Sequence, residues 1–350
     1  MKTYNNLFPQ IYDFEALHNA YLRARRGKRH RHEVLRFEQD LEGELIQLQN
    51  ELIWGEYQTG PYRRFYVYEP KKRLAAALPF RDRVVQHSLV AAIEPIWEAR
   101  FIHHSYACRP GRGMHAGANQ AQQWLREVRA QYGRVYVLKA DVSQYFASID
   151  HEVMTGLLRR RMACRPTVAL CEAIIDTWAP GLPIGNLTSQ LWANVYLHEL
   201  DGFIKQTLRV RRYGRYMDDF VLIHHDKAQL HAWRREITGW VRAVLRLELN
   251  QKTQIFPVAR CRGRALDFLG YRMWPTHRRL RRDSVKRMQR RLRIMQQDYA
   301  DGRIVLGDIR KRMASWIGHA KHADTYRLRR KLLGGTRFQR HAAPAAGDEK

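Results

Sequence analysis

Apolar positions change period several times along this chain. Between residues 13 and 54 they recur at helical intervals, with Leu41, Leu45, Leu48 and Leu52 in one stripe. Two helices are therefore expected there, on either side of the basic stretch 23–31. Pro61 breaks the pattern. Residues 62–68 alternate in the manner of a strand, and residues 69–72 form a basic turn into a second extended run, 73–78. Such a hairpin would carry Lys71, Lys72 and Arg73 over an anionic substrate. Arg81 then opens a long apolar helix reaching about Phe101, and a second helix follows the turn at 109–113. From 133 to 275 strands and helices mix. Residues 278–340 return to amphipathic helices, with Met288, Leu292 and Met295 on one side and Arg287, Arg290, Arg291 and Arg293 on the other.

Charge narrows the range of partners. The chain has 350 residues, with 62 Lys and Arg against 34 Asp and Glu, a formal net charge of +28. A compact fold carrying that excess repels itself unless an anionic partner offsets it. No apolar run approaches the roughly 20 residues that span a bilayer, and the first residues show no signal-peptide core. A nucleic acid in the cytoplasm is thus a better partner than a membrane. Residues 278–340 hold 20 Lys and Arg against 5 acids. One sign at that density suits contact with a duplex backbone. The four cysteines show no paired zinc spacing and are expected as small buried apolar residues. The pairs His103-His104 and His224-His225 lack ligand spacing and are expected in solvent or facing nucleic acid.

Two carboxylate positions carry the candidate chemistry. Asp218 and Asp219 interrupt the apolar runs 213–217 and 220–223, which predicts a hairpin with both aspartates at its tip. An aspartate pair in a turn is ordinarily conformational. A second site changes the balance: the apolar run 135–140 ends in Asp141. By itself a strand-end aspartate reads as a helix cap. Together, Asp141 and Asp218 on adjacent strands can converge on two divalent ions, which in such sites lie roughly 3.5–4 Å apart.

With Tyr216-Met217-Asp218-Asp219 on such a hairpin, the chain resembles the reverse transcriptases. The resemblance implies an α+β right-hand polymerase: fingers and an N-terminal extension over 1–132, a palm over 133–277, a basic helical thumb over 278–340 and a disordered tail over 341–350. It implies that Asp141, Asp218 and the Val142 carbonyl hold two Mg²⁺ ions (Mn²⁺ as an alternative), with Asp219 a supporting carboxylate of the metal site. Lys252, in the stretch 247–253, then stands near the leaving pyrophosphate. Lys71, Arg73 and Arg81 bind triphosphate, and Phe146 sits beneath the sugar, where it disfavours a 2′-hydroxyl. Residues 182–190, with Ile184, Gly185 and Gln190, pack against the templating base and the incoming nucleotide. Gly185 there permits close approach to a ligand, and Asn186 or Thr188 starts a helix over 191–200. Phe268, Leu269, Gly270 and Tyr271, a short apolar strand with a central glycine, resemble the primer grip.

Most reverse transcriptases place Gln where Ile184 stands. The form Ile184-Gly185 followed by Ser189-Gln190 resembles the enzymes of diversity-generating retroelements, as do the stretches 60–62, 68–70, 106–110, 271–277 and 315–320. That resemblance implies copying of a template-repeat RNA into cDNA with errors at adenines. It also implies deoxynucleotides and an accessory variability determinant protein, a small basic helical oligomer, as partners. An amide at 184 can hydrogen-bond near the nascent pair, whereas isoleucine supplies only shape, and Arg73 bears on how the nucleotide sits. The rivals are a retron-type or group II intron-type reverse transcriptase, and an idle RNA-binding relative. Against the last stand four intact side chains, Asp141, Asp218, Asp219 and Lys252.

Overall fold

The computed structural model describes residues 2–68 and 72–341. Lys71 lies outside the described residues, as does the expected disordered tail apart from His341.

The chain opens with α1 (Pro9–Tyr12), α2 (Phe14–Ala24), α3 (His32–Gln39) and α4 (Leu41–Trp54). Sequence periodicity predicts α3 and α4 as one helix. Asp40 separates them: its backbone leaves the helical region (φ −136°, ψ 61°), and its carboxylate accepts the Gly43 N–H as an N-cap. Gly55, at φ 73°, ends α4 in the left-handed conformation that suits glycine. β1 (Arg63–Val67) and β2 (Arg73–Ala77) pair antiparallel from Arg63↔Ala77 to Val67↔Arg73, the expected basic hairpin. α5 (Phe80–Glu98) buries Val84, Val85, Leu89, Ile93 and Trp97, each such side chain contributing about 1.5–3 kcal/mol of transfer free energy.

After α6 (Met114–Tyr132) comes β3 (Tyr136–Asp141), a short 3₁₀ turn at Tyr145–Ser148, then α7 (His151–Arg159) and α8 (Arg165–Asp176). α9 (Leu187–Gly202) starts four residues earlier than sequence periodicity predicts, because Asn186 is already extended (φ −86°, ψ 146°) at its N-cap. A hairpin of β4 (Tyr213–Tyr216) and β5 (Asp219–His224) is followed by α10 (Lys227–Leu245) and β6 (Gln254–Pro257). These strands form a sheet of order β4-β5-β3-β6.

β7 (Leu266–Phe268), β8 (Tyr271–Met273) and β9 (Arg278–Leu280) make a separate antiparallel sheet. The short apolar stretch with a central glycine turns back on itself as a hairpin, the form that the primer-grip resemblance implies. Leu269 and Gly270 both take positive φ (51° and 84°), as a tight two-residue turn requires. Three helices follow, α11 (Arg282–Ala300), α12 (Leu306–Lys321) and α13 (Tyr326–Gly334). The predicted apolar face holds: Met288, Leu292 and Met295 are buried with Ile304 and Ile309.

The chain is α+β and divides into two compact units. The first comprises residues up to Arg112, Leu138–Leu222 and His231–Gln254; the second comprises Gly113–Val137, Ile223–Leu230 and the chain from Ile255 onward. Among the described residues no helix is long and apolar enough to cross a membrane.

Candidate active site

The candidate site of the first unit is built on two neighbouring strands. Tyr216 pairs with Asp219 across the β4–β5 hairpin, so Met217 and Asp218 are its two-residue turn. Met217 has φ 57°, a left-handed conformation that costs a side-chain-bearing residue about 1–2 kcal/mol. Arg215 holds it there: its Nη1 donates to the Met217 carbonyl at 3.0 Å. The guanidinium is fully buried and is itself fixed by Asp201, through Nε to Oδ1 at 2.8 Å and Nη2 to Oδ2 at 2.6 Å. Tyr213 donates to the same carboxylate at 2.6 Å, and Asn194 Oδ1 accepts from Arg215 Nη1. This buried network lies outside the residues that sequence patterning singles out.

β3 brings Asp141 to this turn. β5 and β3 are neighbours, and the Val142 N–H donates to the Asp218 carbonyl at 3.3 Å. The segment carrying Lys252 is tied to the same strand end: Asn250 N–H donates to the Asp141 carbonyl, and Ser143 N–H to the Glu248 carbonyl, both at 2.8 Å. Lys252 itself is exposed in the following turn, its N–H on Asn250 Oδ1.

Burial and neighbouring like charge both disfavour ionisation of the aspartates of this hairpin. Burial raises Asp218 above the usual carboxylate range and the charge of Asp141 adds to it, while Arg73 and Arg215 pull the other way. Asp219 is pushed up to about 7, chiefly by burial, with Asp141 and Asp218 adding to it and Lys139 opposing. The Lys139 ammonium stands 3.4 Å from Asp219 Oδ2. Period-two alternation along β3 puts Lys139 and Asp141 on one face, a signal that could have identified Lys139.

This arrangement suits a hard divalent cation. Asp141 and Asp218 approach each other, and the Val142 carbonyl accepts no backbone hydrogen bond from the described residues. Oxygen donors of this kind, in small number, match magnesium, which keeps several waters. Asp219 offers Oδ2 to Lys139, while its Oδ1 is buried with no hydrogen-bond partner among the described residues. No group of three or more His, Cys, Asp or Glu side chains is arranged to hold a metal among the described residues.

The predicted nucleotide-binding residues divide. Arg73, on β2, is exposed and its charge reaches Asp218. Arg81 pairs within the protein, its Nη2 2.8 Å from both oxygens of Glu51. Phe146 is half-buried beside Tyr145, whose hydroxyl donates to the Ala193 carbonyl. The Phe146 carbonyl accepts the Leu182 N–H at 2.7 Å, so the 182–186 segment rests on it. The Ile184 carbonyl accepts the Ala76 N–H of β2 at 2.8 Å. Gly185, at φ 127°, lets β2 come this close: a Cβ there would fall 2.4 Å from the Ala76 oxygen. Asn186 does not cap α9 with its side chain but donates to the Tyr62 hydroxyl. Gln190 is half-buried on α9.

In the second unit Phe268 and Tyr271 are buried on either side of the Leu269-Gly270 turn. The Tyr271 hydroxyl lies 3.0 Å from His115 Nδ1 and from the His319 carbonyl, and 3.1 Å from His319 Nδ1. One background expectation fails in part. Cys108 and Cys261 are exposed, although Cys164 and Cys171 are buried as predicted. His104 is not free in solvent; its Nδ1 meets the Tyr106 hydroxyl at 2.8 Å, and burial lowers it to about 4. His225 stacks on Tyr132 at 3.7 Å.

Residues 69–273 match the model of a family described as reverse transcriptase (RNA-dependent DNA polymerase). The chain is 32% identical over 275 residues to Protein YkfC of Escherichia coli, covering 66% of this chain and 71% of that protein. It is 25% identical over 234 residues to the group II intron-encoded protein LtrA of Lactococcus lactis subsp. cremoris, covering 62% of this chain and 38% of that one. A solved telomerase structure from Candida albicans, in complex with a fragment of telomeric RNA, aligns at 9% identity with a TM-score of 0.46, over 69% of this chain and 52% of that chain.

Proposed function

This chain belongs to the reverse transcriptase family, and from that membership we propose that it copies RNA into DNA at the Asp141–Asp218 pair. The observation that carries this reading is the meeting of two carboxylates from segments distant in sequence, with Val142 N–H bonded to the Asp218 carbonyl. Asp141, Asp218 and the Val142 carbonyl would hold divalent magnesium. When bound, the metal supplies acidification of a primer 3′-hydroxyl and charge stabilisation on the transferring phosphoryl group.

The protein's own groups do the rest. Arg215 fixes the turn that aims Asp218, and Lys139 holds Asp219 in place. Arg73 offsets triphosphate charge, and Lys252 stands on a loop anchored to Asp141, where it neutralises the leaving pyrophosphate. Phe146 shapes the sugar pocket against a 2′-hydroxyl. In this reading the fingers extend to about residue 132, the palm to about 277 and the basic thumb beyond, with template RNA and an RNA–cDNA duplex as partners.

The finer reading is a diversity-generating enzyme that errs at template adenines and works with a small basic helical accessory protein. Ile184 and the Ser189-Gln190 pair support it. A group II intron-type enzyme is the second reading, favoured by the match to LtrA.

Primer extension on an RNA template with magnesium tests the activity. Asp218→Asn should lower the rate about a hundredfold or more, the several kcal/mol that metal-held charge supplies. Extension by Asp218→Asn at the unaltered rate would refute the proposal.

A further inference from the structure

Three histidines gather around Tyr271 in the second unit, and none is used by the chemistry above. His115 lies in the first turn of α6, His319 near the end of α12 and His322 just past it. The rings of His115 and His322 stack at 3.8 Å and 14°, and His115 is 5.7 Å from His319. His319 in turn stacks on Tyr271 at 4.7 Å. Arg278, on β9, completes the group: its guanidinium stands 5.2 Å from the Tyr271 ring, and its Nε donates to the His322 carbonyl.

Several features fit an anion. Arg278 Nη1 is buried with no hydrogen-bond partner among the described residues, which is costly unless something accepts from it. The Tyr271 hydroxyl takes the Nδ1 side of His115 and of His319. Neither Nε2 has a hydrogen-bond partner among the described residues. No acid stands in the first turn of α6. Of the neighbouring acids, Asp267 is paired with Arg281, and the charge of Asp324 is felt at His277. The group is also reachable, with His322 exposed and His115, His319 and Arg278 half-buried.

We propose that His115, His319, His322 and Arg278 form a phosphate-binding cluster that takes a backbone phosphodiester of bound nucleic acid and becomes protonated as it does so. His322 and Arg278 disfavour protonation of His115, and the two other imidazoles disfavour that of His319, while the cluster is empty. Burial, followed by neighbouring positive groups, holds His115 and His319 below the usual histidine range. A phosphate removes the second cause, so binding takes up protons and tightens as pH falls. The polymerase reading supplies only the kind of strand that is bound.

The test is binding of a labelled RNA–DNA duplex to the full chain, without nucleotide or metal, as pH is lowered from 8 to 6. Wild-type affinity should rise about three- to tenfold per pH unit below pH 7, the limit being about tenfold for each proton fully linked. His115→Gln with His322→Gln should flatten that dependence and reduce the salt slope by about one phosphate contact. Both substitutions leave Tyr271 its His319 partners. Inorganic phosphate that competes beyond an ionic-strength control, in the wild type alone, would show that free phosphate also fills the cluster; no competition assigns it to the strand. A double variant that keeps the wild-type pH dependence overturns the proposal, as does a wild type with none. A wild type that shows this pH-linked binding but no primer extension, or an Asp218→Asn that extends at the unaltered rate, would defeat only the catalytic reading.

Discussion

Arg215 and Asp201 meet in a fully buried two-point contact of 2.8 and 2.6 Å, and the same guanidinium bonds the Met217 carbonyl in the turn that carries Asp218. The ion pair is thus a mount for the turn that carries Asp218. Removing one member leaves the other charged and buried, which costs about 3–5 kcal/mol. Arg215→Met should therefore lower unfolding free energy by about that much in urea titrations. Arg215→Lys keeps the charge but cannot span Asp201, Asn194 and Met217 together. It should lose extension rate out of proportion to stability, and a loss confined to stability would refute the mounting role.

Lys139 and Asp219 set a pH dependence whose sign can be worked out. Asp219 is raised to about 7 and Asp218 is raised above its ordinary value, so the folded protein binds protons more tightly than the unfolded chain. Without metal, stability should decline as pH rises from about 4 through 7 on account of these groups. Magnesium competes with those protons. The rise in melting temperature on adding Mg²⁺ should accordingly be larger at pH 8 than at pH 6. Lys139→Met removes the opposing charge and should widen that difference; an equal magnesium effect at both pH values would refute the account.

Gly185 is predicted to be intolerant of any side chain. Its φ of 127° and the 2.4 Å separation of a built Cβ from the Ala76 oxygen leave no small adjustment that would accommodate a methyl group. Gly185→Ala should break the Ala76–Ile184 backbone bond and cost about 1–3 kcal/mol in strain, measured by urea unfolding. The nucleotide KM should rise as well, because Ile184 moves with its carbonyl. Unchanged stability would contradict the structure at this position.

The carboxylate strands were legible because each is a local signal: an apolar run, then an aspartate. Two such runs, distant in sequence, become neighbours in one sheet as expected. What patterning missed depends on partners it cannot see. Arg81 pairs with Glu51, thirty residues upstream. Arg215, read as part of a strand, is fully buried only because α9 supplies Asp201 and Asn194. Asp40 divides a stripe of correct period, since a cap at one residue outweighs the continuity of leucines. Leu269-Gly270 is a turn of two positive-φ residues, and an apolar leucine there disguises it.

Ile184 allows the finer functional reading to be tried with a single substitution. Its backbone is fixed by the Ala76 N–H at 2.8 Å, and its side chain is half-buried, so Ile184→Gln would display an amide from an unmoved Cα. If that amide contacts the nascent pair, a wrong pair should pay about 1–3 kcal/mol more, roughly a 5- to 150-fold gain in discrimination. Misincorporation opposite template adenine should fall by a factor in that range, while correct extension stays within about threefold of the wild type, since no metal-holding group is altered. Sequencing cDNA made on an adenine-rich RNA template measures both. An error rate at adenine that is low in the wild type would favour the group II intron-type reading, and one that is high yet insensitive to Ile184→Gln would place the cause in another residue, with Arg73 the next to be substituted.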